Sequence, residues 1–212
     1  MIKDKITQEL INKFRQVADD TVVDGNERGF DLCTDRKGKI FPGDTICQGD
    51  ECSVTMAGFG KSCGENKPIG TFHTHSYISI YLEEYQKKFK QFPSDNELEN
   101  FIRDDIKRIH KERGIDNMSV NAPSATDFLS AIIEACKHKG AGTVCTTSDV
   151  EPYSVECWFP KIDLNKDIYK RDCRKAKRQL GEELIDYKKL SEAWAIKLFN
   201  KEVIDLRNKK YR

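Results

Sequence analysis

A strand-like run that ends in two histidines, IGTFHTH at residues 69–75, constrains the fold most, because the chain after it is helical for a long way. The block from about 77 to 115 is densely charged, and Leu98, Phe101, Ile102, Ile106 and Ile109 trace one helical face within it. Pro93 ends whatever helix YLEEYQKKFKQF forms, and SDNE at 94–97 opens the next as a capping box, with Ser94 as N-cap and Glu97 reaching back. That pattern predicts a helical hairpin. A third helix is expected from about Ser124 to Gly140, followed by the strands GTVCTT and SVECWF.

Ahead of the histidines, Ile6, Leu10, Ile11, Phe14 and Val17 have the spacing of an amphipathic helix over residues 4–18. VVDGNERGFDLCTDRKGKIFPGDTI then reads as strands broken by turns at Asp24-Gly25 and at DRKG. CSVTMAGF is another strand candidate. A helix followed by several strands implies a largely antiparallel or mixed sheet. From Asn165 onward the chain is charged and expected to be helical, with Leu180, Leu184, Trp194, Leu198, Val203 and Leu206 on its apolar side.

The 212 residues suffice for one sizeable α/β domain with an extra lobe. A net charge of +1 supplies no global field for nucleic acid or a membrane surface. No apolar segment is long enough to cross a bilayer. The start, MIKDKITQEL, lacks the apolar core of a secretory signal, so a soluble cytoplasmic protein is expected. In that setting the eight cysteines read as small buried apolar side chains, with Cys47, Cys52 and Cys63 as a possible metal or disulfide clip of one Gly-rich segment. No C-x-x-C pair occurs.

Residues two apart on a strand face the same side of a sheet, so His73 and His75 can present their rings to one ion. Taken alone, such a pair is more often ordinary surface or hydrogen-bonded histidine. A catalytic zinc typically takes three protein ligands and a water. Asp127, in the first turn of the helix after APSATDF, is the candidate third ligand. Taken alone, SATD is a capping box with Ser124 as N-cap, and Glu27 is an acid beside a turn.

Together these elements resemble the JAMM signature of the JAB/MPN metalloprotease family. The order there is a glutamate near GxL, then H-[ST]-H, then S-x-x-D; here it is Glu27 in ERGFDL, His73-Thr74-His75, and Ser124-Ala125-Thr126-Asp127. The resemblance spans roughly residues 20–160. It departs from the family where Ser76 replaces a proline, and where the block at about 77–116 fills a gap that is much shorter in the family. Ser94 and Glu97 within that block mimic the serine and acid, but Glu stands for Asp and the family's helix sequence does not follow.

The resemblance implies a JAB/MPN-type, cytidine-deaminase-like mixed sheet flanked by helices over residues 1–164, with 165–212 as a charged helical extension. It implies Zn²⁺ held by His73, His75 and Asp127, Glu27 as the acid–base group, and Ser124 as donor to the oxyanion. The activity implied is that of a deubiquitinase-like isopeptidase or peptidase acting at a ubiquitin-like modifier or a modified protein. A non-catalytic scaffold of the same fold is the alternative, and a chain whose cysteines bind its only zinc is a third. The insertion is expected to border the metal at its base, as a substrate-groove wall, a lid or a surface decoration.

Overall fold

The computed structural model describes residues 2–49, 59–112, 119–150, 153–161, 170–183 and 195–206. A short 3-10 turn precedes α1, Gln8–Asp24, whose start is fixed by Thr7 Oγ1 accepting from the Leu10 amide at 3.2 Å. Leu10, Ile11, Phe14, Val17 and Ala18 form its buried stripe. The helix runs six residues past the expected end at 18, absorbing Val22 and Val23, which are 44% and 85% exposed. Strand preference yields there because these side chains have no sheet to pack on. The helix stops instead at Gly25, where φ is +72° and the amide donates to Thr21 O at 2.8 Å.

Strands β1, Arg28–Thr34, β2, Ile40–Pro42, β3, Cys47–Gln48, and β4, Lys67–His75, follow. The DRKG turn is present, with Asp35 Oδ1 accepting from the amides of Lys37 and Lys39 at 2.8 Å each. The expected strand CSVTMAGF lies, apart from Phe59, outside the described residues. Helices α2, Ile78–Phe89, and α3, Asp95–Glu112, make the expected hairpin. Ser94 and Glu97 cap α3 reciprocally: the Ser94 amide donates to Glu97 Oε2 at 2.8 Å and the Glu97 amide to Ser94 Oγ at 3.4 Å. Helix α2 ends at Lys90, before Pro93 is reached. Then come α4, Ala125–Lys137, β5, Thr143–Ser148, β6, Ser154–Pro160, α5, Lys170–Glu183, and β7, Phe199–Asp205.

The fold is mixed α/β, with one mixed sheet and flanking helices. Among the described residues the sheet runs β2–β1–β4–β5–β6–β7, with β3 also paired to β1. Only β4 and β5 are parallel neighbours in that order, and α2, α3 and α4 all lie in the crossover between them. Alternation along the central strands sends Phe30 and Phe72 to one face. There they stack with Phe14 of α1 at centroid distances of 4.6–5.9 Å, all three fully buried. The opposite face packs Val144 and Trp158 against Phe128, Leu129 and Ile132 of α4. Burying a side chain of this kind contributes about 1.5–3 kcal/mol, so both helices are held firmly to the sheet.

Two expectations need correction. The chain beyond residue 165 is not uniformly helical: Phe199–Asp205 is an edge strand, antiparallel to β6 along its whole length. Ile204 and Phe199 are buried while Asn200 and Asp205 are exposed, and the β-branched pair Val203-Ile204 favours a sheet edge once β6 offers one. Residues 162–169, where the extension was expected to begin, lie outside the described residues. The cysteines are not mainly free: Cys33–Cys63, Cys136–Cys173 and Cys145–Cys157 are disulfides, so Cys63 pairs with Cys33 and not with Cys47 or Cys52, the alternative clip. Cys47 is a free thiol and Cys52 lies outside the described residues.

Candidate metal centre

His73 and His75 occupy alternate positions at the end of β4, on the face opposite α1. The residue between them explains why the strand end is fixed. Thr74 is fully buried on the α1 side, its Oγ1 2.8 Å from Thr21 Oγ1 and accepting from the Arg28 amide at 2.9 Å. One hydroxyl thus joins β4, β1 and the end of α1, and both imidazoles are held outward on the other face.

Asp127 arrives from the first turn of α4. Its Oδ2 accepts from the Ser124 amide at 2.7 Å, and its own amide donates to Ser124 Oγ at 3.3 Å, completing a capping box. The same Oδ2 lies 3.2 Å from His73 Nε2 and 3.5 Å from His75 Nε2, and the two ring nitrogens are 3.1 Å apart. An ion bound tetrahedrally at about 2.0–2.1 Å sets its ligand atoms about 3.3–3.4 Å apart. The three separations here match the edges of such a tetrahedron, and the donors are two imidazoles and a carboxylate. His73, His75 and Asp127 can therefore hold a metal ion. Burial raises the pKa of the Asp127 carboxyl, but the two imidazoles outweigh this and hold it well below the usual carboxylate range.

Around the ligands lies a shell that the sequence does not announce. Tyr77 Oη is 3.1 Å from His75 Nδ1, the ring nitrogen turned away from Asp127. Burial, then the negative charges of Asp127, Glu27 and Asp149 along with neighbouring Tyr81, push the phenol pKa far up, so it stays protonated at neutral pH. Asp149, one residue beyond the end of β5, accepts from the Tyr77 amide at 2.9 Å, the Ile78 amide at 3.1 Å and Ser76 Oγ at 3.2 Å. It thereby caps α2 and fixes Tyr77, with Ser76 as one of its donors. Burial raises the pKa of this carboxyl, while those donors pull it back. The signal for Asp149 was topological: parallel neighbours β4 and β5 end side by side, and polar residues at such ends converge.

Glu27 sits immediately before β1 and is 8% exposed. Gly29 pairs with His73, so the same antiparallel register carried two residues further sets Glu27 opposite His75, on the ligand face. Arg28 holds this approach by donating to Asp24 and, at 2.9 Å, to Asn26 O. That guanidinium also keeps the Asp24 carboxyl well below its ordinary range. Ser124 is exposed at the start of α4. Its Oγ accepts from the Asp127 amide, which leaves the hydroxyl proton to be donated elsewhere.

A cleft of about 350 Å³ opens beside these residues, with His73 and Asp127 at one end, bounded by the middle of β4, the start of β5 and one face of α4. None of its lining residues belongs to the α2–α3 hairpin. The hairpin touches the centre at its root, through Tyr77, and packs Tyr81, Ile102 and Ile106 against Val120 and Val150. The base of the insertion thus borders His75. Comparison with family models, with curated proteins and with solved structures finds no match to this chain.

Proposed function

We propose that this chain is a zinc-dependent amide hydrolase of the JAMM type, with a JAB/MPN-like fold, acting as an isopeptidase or peptidase at a ubiquitin-like modifier or a modified protein. The observation that carries the reading is the triangle of His73 Nε2, His75 Nε2 and Asp127 Oδ2, drawn from two elements about fifty residues apart in sequence. Two imidazoles with one carboxylate are a donor set that would suit Zn²⁺. When bound there, the ion supplies Lewis acidity and lowers the pKa of water toward about 7.

The chain's own groups supply the rest of the chemistry. Glu27, on the ligand face across from His75, takes a proton from the attacking water. Water's oxygen bonds to the carbonyl carbon, the C–N bond breaks, and Glu27 passes the proton to the leaving amine. Ser124 donates its hydroxyl proton to the carbonyl oxygen as negative charge builds there. Donors of this kind contribute about 2.7–4 kcal/mol. Tyr77 keeps His75 oriented, and the cleft along α4 receives the chain on one side of the scissile amide.

The test separates metal from chemistry. Wild type is expected to retain about one zinc per chain by elemental analysis, and the His73→Ala, His75→Ala double variant to lose it. Glu27→Gln is expected to keep zinc and lose hydrolysis of modifier fusions and peptides. Cleavage by that variant at the wild-type rate would remove Glu27 from the proton's path.

A further inference from the structure

The cleft does not end at the ligands. Thr126, Ser130 and Glu134, successive turns of α4, line one wall, and Phe59 lies at the far end. Glu134 is seven residues beyond Asp127, which is about 10.5 Å along the helix axis. An extended chain covers that distance in about three residues.

The Glu134 carboxylate is only half satisfied. Oε1 accepts from Lys137 Nζ at 2.8 Å, a pair formed with a half-exposed lysine. Such exposed pairs contribute little, about 0–1 kcal/mol. Oε2 is buried and accepts no hydrogen bond; His138 Nε2 stands 3.6 Å away, beyond hydrogen-bond reach, and forms an ion pair with it only when the imidazole is protonated. A buried carboxylate oxygen without a donor is costly, and its cost is recovered when a ligand brings one. The Phe59 ring packs against the His138 imidazole, with centroids 5.4 Å apart, so an aromatic surface lies beside the carboxylate. A carboxylate oxygen next to an aromatic ring is the chemistry that recognises an ammonium or guanidinium group.

We propose that the far end of the cleft is a cation subsite, in which Glu134 Oε2 and Phe59 take a lysine or arginine side chain of the substrate about three residues from the amide that is cut. This subsite rests on reading the cleft as the substrate channel of the hydrolase. It makes Glu134 a specificity residue, with no part in the chemical step.

The probe is Nα-acetyl-arginine methylamide, with its neutral isostere acetyl-citrulline methylamide as control, titrated into metal-free full-length protein and followed by amide NMR shifts. The arginine probe is expected to shift the amides of Phe59, Ser130 and Glu134 saturably, and the citrulline probe to bind at least about tenfold more weakly. In Glu134→Gln the arginine probe should fall to the citrulline level with the melting temperature unchanged. Equal binding of the two probes by wild type, shifts clustered away from the cleft, or full binding to Glu134→Gln would each overturn the subsite. The probe pair on wild type decides between these outcomes even if the variant fails to fold. Binding without any amide hydrolysis by the zinc-loaded protein would keep the subsite and remove the enzymatic reading. Hydrolysis with equal rates on basic and neutral peptides would do the reverse.

Discussion

One oxygen of Asp127 explains why the capping-box and metal-ligand readings of SATD are not rivals. Oδ2 accepts the Ser124 amide and faces both imidazoles, so the cap fixes the carboxylate where an ion needs it. Ser124→Ala should therefore have two separable effects. Loss of the cap costs about 0.5–2 kcal/mol of stability in denaturant titration, and loss of the donor lowers kcat by about 10²–10³. A fall in stability with kcat intact would leave Ser124 a cap only. Tyr77→Phe should keep the fold and weaken zinc binding by about 10–100-fold in chelator competition, because His75 loses the group that orients it. The three residues that can hold a metal ion, His73, His75 and Asp127, were legible as a candidate group from spacing and residue type. Tyr77 and Asp149 were not, because their roles come from the hairpin root and the β5 end meeting in space.

At the scale of elements, the site depends on how closely β4 approaches β5. A Cβ on Gly70 would lie 1.8 Å from Thr143 O, so any side chain there forces the two strands apart, three residues from His73. Gly70→Ala should destabilise the protein by about 1–3 kcal/mol, as overpacking does, and lower zinc affinity with it. Unchanged melting and unchanged affinity would mean the strands can part without disturbing the ligands. The elements that were legible announce themselves locally: β4 by its apolar run, α3 by Ser94 and Glu97, α4 by Ser124 and its apolar face. Strand β7 was illegible because its apolar residues fit a helical face as well as an edge, and only β6 decides between them. The end of α1 was misplaced because Val22 and Val23 favour strands in isolation.

At the scale of the molecule, the sheet separates two tasks. Its α1 face carries the Phe14, Phe30 and Phe72 core, and its α4 face carries the ligands and the cleft. Among the described residues three disulfides tie this arrangement together, and Cys136–Cys173 fastens α5 to the helix that supplies Asp127. The pairs were illegible in the sequence because pairing follows from the fold, which brings cysteines 12 to 37 residues apart together. Peptide mapping of unreduced protein should recover the three pairs. Replacing Cys136 and Cys173 together by alanine should cost about 2–4 kcal/mol of stability. Undiminished stability in that variant would mean the bridge does not constrain the chain.

The proposed centre is a divalent ion held by nitrogen and oxygen donors in a chain with eight cysteines. X-ray absorption at the zinc edge of the loaded protein tests this most directly. Two imidazole nitrogens, a carboxylate oxygen and one further light atom at about 2.0–2.1 Å are expected. Sulfur scatterers at about 2.3 Å, or a protein that retains no zinc, would contradict it.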